Sequence, residues 1–442
     1  MKFTHLNLRF ALSVTVLCLS IFFSSLFAQD IKDYQAPQKI LSLNGVSISD
    51  TLESEHFTEK YVLQFDQTLD YSNPESSTFK QRVILCHRGF DKPVIFVTEG
   101  YGASYALSSR YTEELAEMFD ANIVFAEYRY FLESRPENES WDYLTAENAV
   151  QDLHSINTKL KELYNGKWIT TGVSKGGQTT IYYRAFYPDD VDVSVPYVGP
   201  ICFGVEDKRL SDYLDHIGSK KDQKKIRSFQ KEMLKKRDLF LPDFEKYCKE
   251  KEYQFADSYS AIYDYCVLEY RFSIWQWGSS LDMIPSKSSS DKEKFDHFIA
   301  IADPSYFNIA GAAIDPFFYQ AAKELGYYGY DTKHFKKLLS IKSSKDYLRH
   351  IFPPTDILPK VEFDDRLGKK VVDYIKNNDP KMICIYGEID PWSGAALQKK
   401  QIKGKKNMFI YFQPNGSHLS RINNMPDDIK KRITDKLNEW IN

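Results

Sequence analysis

The most informative stretch of the sequence reads Gly172-Val173-Ser174-Lys175-Gly176-Gly177. A short apolar run at 168–171 precedes it, and a helix-like run at 178–186 follows it. A serine nucleophile presented above a parallel sheet requires this order of strand, turn and helix, with small neighbours that let a strained turn close. The pattern therefore predicts an α/β-hydrolase fold in which Ser174 is the attacking residue.

Strands and helices alternate on both sides of this turn. Short apolar runs at 83–86, 94–98 and 123–128 are bounded by Gly, Pro or polar residues, which is typical of buried strands. Residues 145–163 form an amphipathic pattern that predicts a helix with Thr145 as its cap. The alternation predicts a mostly parallel central sheet. The same reasoning predicts strands at 382–386 and 407–412 and helices at 366–376 and 426–441.

A long polar block with helical texture separates the two strand-rich parts. Residues 220–236 are dense in charge, yet apolar residues recur among them at helical spacing. A stretch rich in Ser and Lys at 285–294 predicts an exposed loop. The sequence therefore predicts a large helical cap inserted between core strands: the core occupies 29–204 and 361–442, and the cap occupies 205–360.

A serine hydroxyl is a poor nucleophile at neutral pH, so Ser174 needs a base and a carboxylate behind that base. Hydrolases of this fold carry them in the chain order serine, acid, histidine. Only His418 follows the last predicted core strand, and we expect it to be the general base. Asp390 follows the preceding strand and stands before a proline that suits a sharp loop, so it is the expected acid. Glu388 and Asp379 are the competing acids.

Acyl transfer also requires hydrogen-bond donors for the oxyanion that develops on the substrate. The backbone amide of Lys175, directly after the nucleophile, is one expected donor. The second donor is expected from the loop after strand 94–98, with the amide of Gly100 or of Tyr101 as candidates. This loop lacks the third glycine of a dinucleotide-binding fingerprint.

Composition argues against several other classes of function. The 442 residues are 43% hydrophobic and 27% charged, which is enough for a large core. With 58 basic and 61 acidic residues the formal net charge is −3, so there is no excess of positive charge for binding nucleic acid. The sequence has no metal-binding motif and no phosphate loop, and we expect neither a metal nor a cofactor.

The first residues have the features of an export signal. Lys2 and Arg9 supply positive charge, an apolar run spans 10–27, and Ala28 precedes polar residues. We therefore predict a signal peptide at 1–28 and a periplasmic or extracellular protein without stable membrane insertion; a retained membrane anchor is the alternative. Of the five cysteines that follow, Cys248 and Cys266 are expected either to pair or to remain buried thiols.

Several linked motifs, in order along the chain, resemble those of one family. They are Gln67-Thr68-Leu69-Asp70-Tyr71, Phe79-Lys80-Gln81-Arg82, Glu127-Tyr128-Arg129-Tyr130-Phe131 and Asp390-Pro391-Trp392. They are similar to the secreted serine exopeptidases that comprise prolyl carboxypeptidase, the lysosomal-type dipeptidyl peptidase and the bacterial tripeptidyl aminopeptidases. Thr68 and Tyr71 stand where that family usually has proline and histidine. Lys175 resembles the aminopeptidase branch, because the carboxypeptidase branch has tyrosine there.

The resemblance implies an exported serine exopeptidase that releases tripeptides or dipeptides from free amino termini, with a preference for proline beside the scissile bond. Peptides are then the expected partners, and the sequence does not indicate an oligomeric state. Such an enzyme needs a carboxylate to bind the substrate ammonium. Glu99, at the end of a core strand, is the first candidate, followed by Glu127, Glu269 and Glu324. A carboxylic-ester hydrolase with the same triad, and a non-catalytic binding protein on a hydrolase scaffold, are the alternatives.

Overall fold

The computed structural model describes residues 36–137, 140–310 and 314–441. The predicted signal peptide at 1–28 lies outside these residues. Within the described ranges, no helix combines the length and the apolar character that crossing a bilayer requires.

Within the described residues, one sheet of nine strands forms the centre of the fold. The strands are β1 (Val46–Leu52), β2 (Glu59–Thr68), β3 (Thr78–His87), β4 (Val94–Thr98), β5 (Asn122–Ala126), β6 (Trp168–Val173), β7 (Val193–Tyr197), β8 (Met382–Gly387) and β9 (Met408–Gln413). Their order in space is β1-β2-β3-β5-β4-β6-β7-β8-β9. The neighbouring pairs β1–β2, β2–β3 and β3–β5 are antiparallel. The pairs β5–β4, β4–β6, β6–β7, β7–β8 and β8–β9 are parallel. The predicted fold class, with its mostly parallel sheet, is confirmed.

Helices cover both faces of this sheet. The described α-helices are α1 (Ala36–Leu41), α2 (Glu114–Phe119), α3 (Ala146–Lys161), α4 (Lys175–Phe186), α5 (Lys208–Leu214), α6 (Lys220–Lys235), α7 (Arg237–Glu250), α8 (Tyr259–Gln276), α9 (Asp291–Ile301), α10 (Asp315–Gln320), α11 (Tyr347–Ile351), α12 (Arg366–Asn377) and α13 (Asp427–Ile441). Helices α1, α3, α4 and α12 pack on one face, and α2 and α13 pack on the other. Side chains of β4 alternate between the two layers, so the strand is buried along its whole length.

Helices α5 to α11 lie between β7 and β8 in the chain and have an apolar core of their own. Helix α8 is at its centre and is buried on nearly all sides, because α6, α7 and α9 pack against it. The described residues between Lys208 and Lys360 contain no strand. This helical block corresponds to the predicted cap, whose bounds at 205 and 360 stay a prediction.

Some local predictions need correction. Strands β1, β2 and β7 have no predicted counterpart, since polar residues interrupt the first two and Pro196 lies within the third. The predicted loop at 285–294 is wrong over its last four residues. Ser290 and Glu293 form a capping box that starts α9 at Asp291, and Lys294 is buried because it pairs with Glu232 at 2.8 Å. The cysteines at 248 and 266 are buried free thiols.

Candidate active site

Ser174 lies in the turn between β6 and α4. Its backbone has φ of 57° and ψ of −118°, which is unusual for a residue with a side chain. A Cβ at Gly172 would lie 2.4 Å from the carbonyl oxygen of Gly176, and one at Gly177 would lie 2.3 Å from that of Tyr197. Glycine is therefore required at both positions for the turn to close around Ser174.

Asp390 and His418 lie on the loops that follow the neighbouring parallel strands β8 and β9. Asp390 Oδ2 and His418 Nδ1 are 2.6 Å apart, and both side chains are buried. The other carboxylate oxygen of Asp390 accepts the backbone N–H of Trp392 at 3.1 Å. This second contact fixes the orientation of the carboxylate against the imidazole ring. The structure thus brings together the two residues that the sequence predicts as acid and base.

The two competing acids are engaged elsewhere. Glu388 is exposed, and its carboxylate accepts the backbone N–H of Asn415 at 2.9 Å. Asp379 accepts the backbone N–H of Lys406 at 2.9 Å and that of Asn407 at 3.0 Å. Both carboxylates therefore stabilise turns near the sheet, whereas Asp390 is the one in contact with the histidine.

Ser174 and His418 line the same pocket, which has a volume of 430 Å³ and lies between the sheet and the cap. Tyr101 lines this pocket together with Ser174. The backbone N–H of His418 donates to the carbonyl of Gln276 at 2.9 Å, so the end of α8 supports the loop that carries the histidine. Most of the cap-side wall is aromatic and consists of Trp277, Tyr306, Phe317, Phe318, Tyr327 and Tyr328.

The apolar residues that surround this pocket have no signature in the sequence. Trp277, Leu419, Ile314 and Tyr105 all line it, although between 41% and 54% of each residue remains exposed. They come from four separate segments, so no local pattern identifies them. Exposed apolar side chains around a concave site are typical of a ligand-binding surface.

Lys175 is the first residue of α4, so its backbone N–H has no partner within the helix. Its side chain is buried, with Nζ donating to the carbonyl of Gly100 at 2.5 Å and lying 3.2 Å from the centroid of the Tyr128 ring. Burial holds the pKa of Lys175 well below its usual range, against the attraction of the Glu99 and Glu324 carboxylates. The lysine thus ties the loop after β4 to the start of α4.

Glu99 is buried and lies in the pocket wall. Its carboxylate accepts the hydroxyl proton of Tyr105 at 2.7 Å. Burial raises the pKa of Glu99, while Tyr105, the amides of Gly100 and Tyr101, and the charge of Lys175 act to lower it. The two amides that are candidates for the oxyanion hole therefore lie close to the Glu99 carboxylate. An amide that donates to Glu99 is not free to donate to the oxyanion of the substrate.

The other candidate acids have different surroundings. Glu127 is fully buried, pairs with Arg82 at 2.5 Å and accepts the backbone N–H of Ala103 at 2.7 Å, which is a structural arrangement. Glu324 accepts the backbone N–H of Ala146, the first residue of α3, at 2.6 Å. Glu269 lies on α8 and is surrounded by hydroxyl groups. In the described part of the chain, no group of three or more His, Cys, Asp or Glu side chains is arranged to hold a metal ion.

The sheet order and the serine turn between β6 and α4 are those of an α/β-hydrolase. A sequence profile of the PS-10 peptidase S37 family matches residues 27–442. The chain belongs to this family and is a serine peptidase, which confirms the family expected from the sequence motifs.

The chain is also similar to individual proteins. The chain is 30% identical over 421 residues to the prolyl tri/tetrapeptidyl aminopeptidase of Streptomyces mobaraensis, a match that covers 93% of this chain and 85% of that protein. It is 27% identical over 180 residues to the lysosomal Pro-X carboxypeptidase of Mus musculus, with 37% of each chain covered. Among solved structures, the proline iminopeptidase of Mycobacterium smegmatis matches with a TM-score of 0.40 and 11% identity, over 85% of this chain and 98% of that chain.

Proposed function

We propose that the protein is an exported exopeptidase that releases tripeptides or dipeptides from free amino termini, with a preference for proline beside the scissile bond. The observation that carries the proposal is the aromatic pocket of 430 Å³ that Ser174 shares with His418. This volume lies within the range of roughly 300–1,000 Å³ that is typical of sites for small ligands. The similarity to an enzyme named as a prolyl tri/tetrapeptidyl aminopeptidase supports the release of tripeptides and the proline preference.

In the proposed mechanism, Ser174 Oγ attacks the carbonyl carbon of the scissile peptide bond while His418 Nε2 accepts its proton. Asp390 keeps the other imidazole proton on Nδ1 and stabilises the imidazolium ion. His418 then protonates the leaving amine, the C–N bond breaks, and the rest of the polypeptide departs. Water, deprotonated by His418, hydrolyses the acyl-enzyme and frees the short peptide.

The proposed oxyanion hole uses the backbone amide of Lys175 together with that of Gly100 or Tyr101. Support comes from the position of Lys175 at the start of α4 and from the close approach of the two loops. A Cβ at Gly100 would lie 2.6 Å from that of Lys175 and 2.8 Å from the nitrogen of Gly176. Gly100 thus allows its own backbone to approach the turn that carries Ser174.

Selection of chain ends is proposed to depend on the cap at 205–360. Its aromatic side chains form one wall of the pocket, and a proline ring packs well against aromatic faces. Glu99 is the proposed partner of the substrate ammonium on the opposite, core-side wall. Its burial and its place in the pocket wall support this role.

Export to the periplasm or the extracellular space is proposed from the signal-like residues 1–28, with Lys2 and Arg9 before a long apolar run. Extracellular peptides are the corresponding substrates, and the protein is not expected to remain inserted in a membrane.

A panel of peptide anilides tests this function directly. Matched dipeptide, tripeptide and tetrapeptide substrates, each ending in proline or alanine before the anilide, are prepared with free and with acetylated amino termini. We expect a kcat/KM at least tenfold higher for the free tripeptide ending in proline than for its acetylated form. Equal cleavage of free and acetylated peptides would reject an aminopeptidase, and cleavage of simple esters alone would favour an ester hydrolase. Glu99→Gln should reduce the preference for free amino termini if Glu99 binds the ammonium.

A further inference from the structure

A group of tyrosines in the cap surrounds one buried carboxyl group. Glu269 Oε2 accepts the hydroxyl protons of Tyr328 at 2.8 Å and of Tyr330 at 2.7 Å, and Oε1 accepts that of Ser273 at 2.7 Å. The hydroxyl of Tyr306 lies 2.9 Å from that of Tyr328. A further hydroxyl contact joins Tyr306 to Tyr327. We call Glu269, Tyr306, Tyr327, Tyr328 and Tyr330 the tyrosine cluster.

The direction of these hydrogen bonds is determined by the carboxylate. A hydroxyl group has one proton and two acceptor lone pairs. Because Tyr328 donates to Glu269, Tyr306 must donate to Tyr328, and Tyr327 in turn must donate to Tyr306. The hydroxyl oxygen of Tyr327, at the end of this series of hydrogen bonds, therefore keeps lone pairs free to accept further hydrogen bonds.

The cluster has a negative group without a matching positive group. Among the described residues, no Lys, Arg or His forms an ion pair with Glu269, whereas the buried Asp152 pairs with Arg129 at 2.7 Å. Burial of an ionised carboxyl group is costly unless hydrogen bonds or a cation compensate for it. Three hydroxyl donors supply part of this compensation. A cation from outside the chain would complete it.

The cluster opens onto the candidate active site. Tyr306, Tyr327 and Tyr328 line the same pocket as Ser174 and His418. Trp392, two residues after the proposed catalytic Asp390, packs on the cluster, with its ring 5.5 Å from that of Tyr327 and 5.3 Å from that of Tyr328. A cation in this part of the pocket is therefore surrounded by hydroxyl oxygens and by aromatic rings, both of which favour it.

Aromatic rings line the pocket wall from the loop after β4 to the cluster. The ring of Phe317 lies 5.5 Å from that of Tyr101 and 5.7 Å from that of Tyr327, and all three residues line the pocket that contains Ser174. Glu99, by contrast, follows β4 directly beside the strand that leads to Ser174, and its carboxylate accepts the hydroxyl proton of Tyr105 at 2.7 Å.

We infer that the tyrosine cluster is the site at which the protonated amino terminus of a tripeptide-length substrate binds, with the hydroxyl oxygens accepting its protons and the Glu269 carboxylate balancing its charge. The inference rests on the proposed exopeptidase function and places the substrate ammonium at the tyrosine cluster on the cap-side wall instead of at Glu99. In this arrangement the distance from the cluster to Ser174 determines how many residues are released.

A pH dependence follows from the same arrangement. Burial raises the pKa of Glu269 to about 7, and the three hydroxyl donors act to lower it. The titratable groups that face it are Tyr327, Tyr328 and Tyr330 from the segment after α10, Tyr306, Tyr347 on α11, and Cys266 on α8 itself. Below about pH 7 the carboxyl group becomes neutral, so the KM of a free tripeptide substrate should rise as the pH falls.

The test compares Glu269→Gln and Tyr328→Phe with the parent and with Glu324→Gln. Glu324 is a matched control, because it is also an acid of the cap and is half-buried. Its carboxylate, however, accepts the backbone N–H of Ala146 at the start of α3. The substrates are the free and the acetylated tripeptide anilide, and the rate of labelling by a fluorophosphonate, which carries no ammonium group, reports on the reactivity of Ser174. Thermal melting shows whether each variant folds.

We expect Glu269→Gln and Tyr328→Phe to lower kcat/KM for the free tripeptide by roughly 10- to 100-fold, the effect of losing hydrogen bonds to a charged group. Labelling should stay within about twofold of the parent, and Glu324→Gln should keep the parent's preference. The increase in KM below about pH 7 should be absent in Glu269→Gln. If the parent prefers free amino termini and both cluster variants keep that preference, the inference is overturned while the proposed function stands. If the parent shows no preference, the proposed function itself fails.

Discussion

Replacing Asp390 with asparagine tests the geometry of the proposed triad with almost no change in volume. In the parent, one carboxylate oxygen lies 2.6 Å from His418 Nδ1 and the other accepts the Trp392 amide at 3.1 Å. Asparagine has one acceptor oxygen and one NH₂ group. If its oxygen continues to accept the hydrogen bond from the Trp392 amide, its NH₂ group must donate to His418 Nδ1. The imidazole proton then lies on Nε2, where the ring cannot accept the proton of Ser174.

The size of the expected loss follows from this change of tautomer. In other serine peptidases a carboxylate-to-amide change behind the histidine lowers kcat by about 10⁴. That factor corresponds to about 5.5 kcal/mol of activation free energy. The fold should persist, because the side chain keeps its size and its contact with Trp392. We therefore expect a melting temperature within about 3 °C of the parent.

The assay measures kcat for the free tripeptide anilide at pH 7.5, with circular dichroism to verify folding. Glu388→Gln is the matched control, since this exposed carboxylate contacts the backbone of Asn415 and should change kcat less than about threefold. An Asp390→Asn variant that keeps more than a tenth of the parent's kcat would show that Asp390 does not set the tautomer of His418. An equal loss in Glu388→Gln would show that the acid is misassigned.

Two further predictions concern stability. Gly172→Ala should lower the free energy of unfolding, measured by denaturant titration, by about 1–3 kcal/mol, because the new Cβ would lie 2.4 Å from a backbone oxygen. Gly204→Ala is the control: its Cβ would have no atom within 4 Å, and the free energy of unfolding should change by less than about 0.5 kcal/mol. The pKa of Glu269 is higher in the folded chain than in the unfolded chain. Ionisation of this group therefore lowers the free energy of unfolding by up to about 3 kcal/mol as the pH rises from about 4.5 to 7. The melting temperature of Glu269→Gln relative to the parent should therefore be higher at pH 8 than at pH 5, and the opposite order would contradict the assignment.

Local patterns were sufficient for much of the core. Strand β4 has the predicted bounds, and α3 begins after Thr145, whose hydroxyl accepts the backbone N–H of Asn148 at 3.1 Å. The turn at Ser174 is equally local, since its glycines and its flanking elements are adjacent in the chain. Caps, strained turns and buried strands have sequence signatures because their causes lie within a few residues.

Features that depend on distant contacts were not predictable in this way. Lys294 is buried because it pairs with Glu232 on another helix, and nothing in its own neighbourhood indicates this. The tyrosine cluster joins residues from α8 with Tyr306 and with the segment after α10. The sequence identified Glu269 as one of several acids in the cap, but only the fold shows that hydroxyl groups surround it. Packing between separate segments decides such sites, and single-sequence patterns do not record it.

Identifying the residue that reacts with a fluorophosphonate tests directly whether Ser174 is the nucleophile. We expect one adduct per chain, located at Ser174 by peptide mass mapping, with loss of activity in proportion to labelling. Ser174→Ala should take up no label and should lose about 10⁵- to 10⁶-fold in kcat while remaining folded. An adduct on another residue, or a Ser174→Ala variant with kcat within tenfold of the parent, would contradict the assignment of Ser174 as the nucleophile.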